Sequence, residues 1–159
     1  MRTHNFCTAR QILVAGLLAL FAVSSANADG FSPWDNDTRS AARLLAGRAI
    51  ADAGRQIKRA GVEIKMERDW KTYWREPGDA GVPPVFDFGG SENLRSVHVL
   101  WPTPERFVEG GAVTMGYKNG VILPLRVEAQ DPKKPVVLRV NMDYAVCHKL
   151  CVPAKASSS

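Results

Sequence analysis

Two cysteines near the C-terminal end are the residues of this 159-residue sequence whose type and spacing best suit chemistry. Cys147 and Cys151 enclose the tripeptide His148-Lys149-Leu150. In an extended strand their Cα atoms would lie about 13 Å apart, whereas a disulfide needs Cα atoms within about 7 Å of each other. The chain must therefore turn between the two cysteines if they pair.

The residues alone leave three kinds of site open for this pair. A structural bridge would close a loop of about five residues, which removes only about 2 kcal/mol of unfolded-chain entropy. A redox site needs an accessible dithiol near positive charge, and His148 and Lys149 could lower the pKa of the attacking thiol. A copper(I) site would take both thiolates, with His148 as a third ligand.

Other residue patterns add no competing chemistry. His98 lies in the middle of a predicted strand, in "SVHVLW", and is expected to be a strand-surface or packed residue rather than a ligand. The sequence has no nucleophile elbow, phosphate-binding loop, paired-His zinc motif or c-type haem motif. We therefore expect no resident metal or cofactor if the pair is not a copper site.

The N-terminal segment has the pattern of a secretory signal peptide. Arg2 and Arg10 precede an apolar run from Ile12 to Val23, and the small residues Ala26-Asn27-Ala28 follow. This pattern predicts cleavage after Ala28 and export. The apolar run is shorter than the roughly 20 residues that span a bilayer, so no transmembrane segment is expected. The third cysteine, Cys7, falls in the removed segment.

The length and charge of the remaining chain limit its domain organisation and its class of partner. About 130 residues suffice for one domain with a core of its own. The formal charge of +5 includes the two signal-peptide arginines, whose removal leaves +3. Lys and Arg are scattered among Asp and Glu in no run of five or more, so the sequence gives no support to nucleic-acid binding.

From Gly61 onward the sequence predicts strands. In "GVEIKMER", the residues Val62, Ile64 and Met66 alternate with charged residues, as in a half-buried strand. The next segment, "DWKTYWRE", places Trp70 and Trp74 on one face, where they are expected to fill the core. Tyr73 lies on the opposite face and becomes a candidate for contacting a partner or shielding the cysteines. Pro77, Gly78, Asp79 and Gly81 are expected to shape a loop, with Asp79 capping a turn.

Further strands are predicted at 96–101, 112–118, 121–129 and 135–146, with a hairpin turn at 118–120, where Asn119-Gly120 tolerates positive φ. Intrinsic propensity favours a helix at 40–61. The terminal "KASSS" is expected to fray.

Four blocks, in order, resemble a known family: "WKTYWREPGDAGVPPVFDF", "SENLRSVHVLWPTPERF", "GYKNGVILPLRV" and "DYAVCHKLCVP". They are similar to the N-terminal immunoglobulin-like domain of the DsbD and ScsB periplasmic thiol:disulfide interchange proteins. The resemblance implies an all-β, immunoglobulin-like sandwich over residues 29–153, after a signal peptide at 1–28. It also favours a strand over a helix at 38–46, as the first strand of the sandwich. Because family members continue past Pro153, residues 154–159 are expected to be a flexible tail of a truncated form.

The resemblance also implies a function. The domain would act as a thiol:disulfide oxidoreductase that passes reducing equivalents through Cys147 and Cys151, with Cys151 as the nucleophile and His148, Lys149 and Tyr73 modulating the pair. Its expected partners are periplasmic thioredoxin-like proteins and a membrane electron donor of the DsbD type. Copper(I) binding and a non-catalytic sandwich with a structural disulfide remain the alternatives.

Overall fold

A computed structural model of the chain describes residues 30–52 and 55–159. Across these residues the backbone forms strands and connecting turns, and the described part contains no helix. In chain order the strands are β1 (Asp35–Asp37), β2 (Ser40–Asp52), β3 (Arg55–Met66), β4 (Lys71–Gly78), β5 (Val85–Asp87), β6 (Leu94–Val99), β7 (Glu105–Glu109), β8 (Ala112–Lys118), β9 (Gly120–Ala129), β10 (Val140–Cys147) and β11 (Cys151–Ser158).

The strands form two antiparallel sheets that enclose one core. The first sheet has the strand order β1-β2-β3-β9-β6, and the second has β11-β10-β4-β8-β7, with β5 also paired to β10. Neighbouring strands often come from distant parts of the sequence, as in a sandwich with crossovers between sheets. The prediction of an all-β, immunoglobulin-like sandwich is confirmed.

Alternating side chains build the core between the sheets. Ile64 on β3 and Leu123 on β9 are fully buried, and Met142 and Val146 on β10 face them from the second sheet. Their neighbours along each strand point outward, as the period of two requires. Burying an aliphatic side chain of this size contributes about 1.5–3 kcal/mol, so these positions hold the two sheets together.

Residues 40–52 and 55–61, where composition favours a helix, lie in the long hairpin of β2 and β3. The two strands pair from Ser40 opposite Met66 to Asp52 opposite Arg55, with an irregularity between Ala46 and Ala49. Burial of alternate apolar residues on β2 supplies the stabilisation that propensity cannot. The preference for a strand at 38–46 is confirmed from Ser40 onward. The short strand β1 precedes it, however, so it is the second strand of the sandwich.

The predicted hairpin turn at 118–120 is wrong. Asn119 does have positive φ, at 65°. The strands on either side of it belong to different sheets, however, because β8 lies in the second sheet and β9 in the first. The turn therefore carries the chain across the sandwich. The strand predicted at 135–146 also begins later, at Val140.

The predicted flexible tail at 154–159 is also wrong. Strand β11 pairs with β10 along its whole length, from Ser158 opposite Val140 to Cys151 opposite Cys147. Ala154 and Ala156 point into the core and are buried. The cysteine hairpin therefore has its return strand. The predicted signal peptide at 1–28 lies outside the described residues, and no helix of the described part is long and apolar enough to span a membrane.

Candidate redox site

The two cysteines form a disulfide across the tip of the β10–β11 hairpin. Cys147 ends β10 and Cys151 begins β11, and the two residues are directly opposite each other in the strand register. Their Cα atoms lie 4.0 Å apart and their sulfurs are bonded at 2.07 Å. The turn of His148, Lys149 and Leu150 is closed by the amide N–H of His148, which donates to the carbonyl of Leu150 at 3.1 Å. The segment thus turns as the cysteine spacing requires.

The two cysteine residues differ sharply in their exposure to solvent. Cys147 is 2% exposed, because β10 is an interior strand with neighbours on both sides. Cys151 is exposed, since it begins the edge strand β11. A thiolate from another protein can therefore approach the sulfur of Cys151 more readily than that of Cys147.

The hydroxyl of Tyr73, on the neighbouring strand β4, contacts both sulfurs. It donates to Sγ of Cys147 at 3.1 Å and lies 3.4 Å from Sγ of Cys151. Burial, with a smaller contribution from the charge of Glu109, raises the pKa of Tyr73. The hydroxyl therefore remains protonated at neutral pH and available as a donor.

A loop after β4 holds the Tyr73 ring in place. Gly81 lies against this ring so closely that a Cβ atom there would come within 2.4 Å of the ring carbons, and its φ is +114°. The loop is tied to β8 by Asp79, whose carboxylate accepts the amide N–H of Val113 at 2.9 Å. Asp79 was predicted to cap a turn, but its carboxylate instead binds a strand distant in sequence. The sequence alone gives no sign that this loop returns to the cysteines.

An ion pair between a buried lysine and an exposed glutamate lies on the same face as the disulfide. Lys71 is opposite Cys147 in the register of β4 and β10, and its side chain is 6% exposed. Its Nζ atom lies 2.7 Å from Oε2 of Glu109 and 4.8 Å from the centre of the Phe107 ring. The period-two alternation of "DWKTYWRE" puts Lys71 on the same face as Tyr73. It could not reveal Glu109 as the partner, because β7 was not predicted.

The two tryptophans of the β4 segment pack into the core. Trp70 and Trp74 are partly buried and pack against the main cluster between the sheets, which confirms their predicted role. Lys71 and Tyr73, with the opposite orientation, are buried on the outer face of the second sheet. Their cover comes from Gly81, which lies against Tyr73, and from Phe107 and Glu109, which contact Lys71.

The remaining predicted site residues lie at the turn. His148 and Lys149 are exposed, and the His148 ring is 6.2 Å from the ring of Trp70. His98 is exposed on β6, away from the cysteines. Within residues 30–52 and 55–159, no group of three or more His, Cys, Asp or Glu side chains could hold a metal ion. Cys147 and Cys151, which with His148 make up the alternative copper(I) ligand set, are joined to each other as a disulfide.

Comparison with known families decides what kind of domain carries this hairpin. Residues 41–159 match the family model described as the N-terminal part of the thiol:disulfide interchange protein DsbD. The chain belongs to this family. A search among curated proteins gave no match.

A solved structure supports the fold of this DsbD-family domain. The crystal structure of the N-terminal periplasmic domain of ScsB from Proteus mirabilis is similar, with a TM-score of 0.61 and 22% sequence identity. The match covers 80% of this chain and 49% of the ScsB chain. The present chain thus spans about half the length of that protein, and at this identity the likeness concerns the fold.

The arrangement of this DsbD-family site suits disulfide exchange. An exposed cysteine on an edge strand is bonded to a buried cysteine, and a protonated hydroxyl lies within 3.4 Å of both sulfurs. Attack on the outer sulfur would release the inner one as a thiolate beside that hydroxyl. A hydrogen bond to the charged form of a thiol favours that form.

Proposed function

We propose that this domain is a periplasmic thiol:disulfide interchange module that passes reducing equivalents through Cys147 and Cys151 to oxidised partner proteins. The observation that carries the proposal is the pairing of an exposed Cys151 with a buried Cys147 at a hairpin tip. A bridge across so short a loop contributes only about 2 kcal/mol of stabilisation. Strands β10 and β11 already pair over their full length, so the hairpin has little need of a structural staple.

Reduction of the domain takes two exchange steps. A thiolate of a thioredoxin-like donor attacks Sγ of Cys151, which forms a mixed disulfide and releases Cys147 as a thiolate. The second thiolate of the donor then attacks the donor sulfur of that mixed disulfide, which releases Cys151 as a thiolate. The donor is left as a disulfide, and two electrons have moved to the domain.

Transfer to the oxidised partner repeats these steps with the roles reversed. The thiolate of Cys151 attacks one sulfur of the partner disulfide and releases the other partner sulfur as a thiolate. Cys147 then attacks Sγ of Cys151, re-forms the bridge and releases the second partner thiolate. In this scheme Cys151 is the nucleophile and Cys147 is the resolving cysteine.

The neighbouring side chains tune the pair. The Tyr73 hydroxyl stabilises the thiolate of Cys147 by donating a hydrogen bond to it. Lys149, within the turn, supplies positive charge that favours the thiolate forms of both cysteines, and His148 is the second basic residue of the turn. These roles are supported by the 3.1 Å contact of Tyr73 and by the position of the two basic residues between the cysteines.

The proposed location is the periplasm, after removal of the signal peptide following Ala28. Exported proteins work in an oxidising compartment, so reducing equivalents must come from a supplied donor. Thioredoxin-like proteins, themselves recharged by a membrane electron donor of the DsbD type, meet that need. Family membership and the periplasmic ScsB relative support this placement.

Trapping of mixed disulfides tests the proposal. We expect Cys147→Ala to accumulate covalent complexes with periplasmic proteins, because its Cys151 can attack but has no resolving partner. Cys151→Ala should give none, and the variant without both cysteines serves as the control. The opposite pattern would exchange the roles of the two cysteines. Trapping by neither variant, with no electron transfer from reduced thioredoxin to the wild type, would leave a structural bridge as the better account.

A further inference from the structure

Leu150 is the most exposed large apolar side chain in the described part of the chain, at 77% exposure. It stands at the hairpin tip, peptide-bonded to Cys151 and preceded by the exposed Lys149. Exposure of a single leucine is ordinary on a protein surface. Leu150 differs from the other exposed apolar residues because it is adjacent to the exposed Cys151.

The hairpin presents Leu150 on a constrained turn. The disulfide closes the turn at its base, and the carbonyl of Leu150 accepts the amide N–H of His148 at 3.1 Å. Strands β10 and β11 continue from this turn in uninterrupted register. A side chain held on such a turn loses little backbone freedom when a partner covers it, which favours binding.

Exchange chemistry forces a partner to cover this residue. A mixed disulfide at Cys151 brings the sulfur of a partner to about 2.05 Å from Sγ. The surface around the partner cysteine must then lie against the residues on either side of Cys151, and Leu150 is one of them. An apolar surface there would gain by removing the Leu150 side chain from water.

From these observations we propose that Leu150 is the apolar anchor by which the domain docks on its exchange partners. The partner is a thioredoxin-like protein whose reactive cysteine lies in an apolar surface. Lys149 and His148, on the rim of the same turn, favour carboxylates at the edge of that surface. This inference rests on the proposed function and adds to it the residue that selects protein partners over small thiols.

The experiment compares two reductants of the same disulfide in the purified domain. Reduced thioredoxin is the protein probe, and dithiothreitol is the small thiol that needs no docking surface. We expect Leu150→Ala to slow reduction by thioredoxin about tenfold or more, as for an interface hot spot, and to leave the rate with dithiothreitol unchanged. Leu150→Met should keep most of the thioredoxin rate. Leu100→Ala is the matched control, because Leu100 is 49% exposed beside β6 in the other sheet.

The possible results distinguish a docking role of Leu150 from an effect on the hairpin or the thiols. An unchanged thioredoxin rate in Leu150→Ala would overturn the inference and leave the exchange function intact. Equal slowing with both reductants would also overturn it, because Leu150 would then act on the hairpin or the thiols themselves. A wild-type domain that dithiothreitol reduces and thioredoxin does not would contradict the proposed function, and the docking role with it.

Discussion

Replacing Tyr73 with Phe should raise the pKa of the Cys147 thiol in the reduced domain. The substitution removes one hydroxyl and keeps the ring that packs against Gly81. That hydroxyl lies 3.1 Å from Sγ of Cys147 on a residue that is 5% exposed. Because burial raises the pKa of Tyr73, the hydroxyl holds its proton and can donate it to a thiolate.

The size of the effect follows from the strength of this hydrogen bond. A hydrogen bond to a charged group contributes about 1.5–3 kcal/mol, and one pKa unit corresponds to about 1.4 kcal/mol. The thiol pKa should therefore rise by about 1–2 units. Because a leaving thiol of higher pKa departs more slowly, reduction of the disulfide by dithiothreitol should also slow. Thiolate absorbance measured against pH gives the pKa, and stopped-flow fluorescence gives the rate.

Tyr117→Phe provides the matched control for this measurement. It also removes a tyrosine hydroxyl, but that hydroxyl donates to the carbonyl of Pro102 at 2.9 Å, and Tyr117 belongs to the core cluster between the sheets, whereas Tyr73 clusters with Cys147. We expect the cysteine pKa values of Tyr117→Phe to equal those of the wild type. If Tyr73→Phe also left both thiol pKa values and the reduction rate unchanged, the hydroxyl would have no part in stabilising the thiolate.

Tyr117→Phe and two further substitutions test other contacts. Burial raises the pKa of Tyr117 to about 12, so the stability that its protonated hydroxyl contributes is present below pH 10 and is lost as the pH rises toward 12. The wild type should therefore lose about 2 kcal/mol of unfolding free energy over this range, and Tyr117→Phe should not show that loss. Urea unfolding between pH 10 and pH 12 measures the difference. The amide N–H of Lys155 holds the pKa of Asp37 below its usual value. Solvent screens this accessible carboxylate, so Asp37→Ala should lower the free energy of unfolding by at most about 1 kcal/mol above pH 4. The loss should be smaller in acid, which urea unfolding at several pH values would measure. Gly81→Ala should lower the free energy of unfolding by about 1–3 kcal/mol, as measured in urea, and should displace the Tyr73 ring. An unchanged near-ultraviolet circular dichroism spectrum would contradict the displacement of the ring.

Period-two patterning predicted the parts of the fold that alternate strongly. Val62, Ile64 and Met66 are buried on β3 as their spacing indicates. The same logic separated Trp70 and Trp74 from Tyr73 on β4. It failed where the side chains are small, because the alternation of Ala154 and Ala156 in β11 is too weak to distinguish from a polar tail.

Local turn chemistry was right about conformation and wrong about topology. The positive φ of Asn119 follows from its residue type. Whether the chain then folds back in the same sheet or crosses to the other depends on burial across the whole sandwich, which a short segment does not encode. The same limit applies to the site. The cysteine spacing required a turn, whereas the contacts of Gly81 with Tyr73 and of Lys71 with Glu109 depend on long-range packing.

Strand order explains why the two cysteines differ in their exposure to solvent. Cys147 lies on an interior strand and Cys151 on the edge strand β11. An open edge invites another strand to pair with it, yet this edge is closed beyond the cysteine. Pro153 has no amide N–H, and the amide groups of Lys155 and Ser157 are taken by the carboxylates of Asp37 and Asp35 at 2.7 and 2.6 Å. These contacts disfavour strand addition along β11, so Cys151 and the neighbouring turn form the part of this edge that the proposed exchange would use.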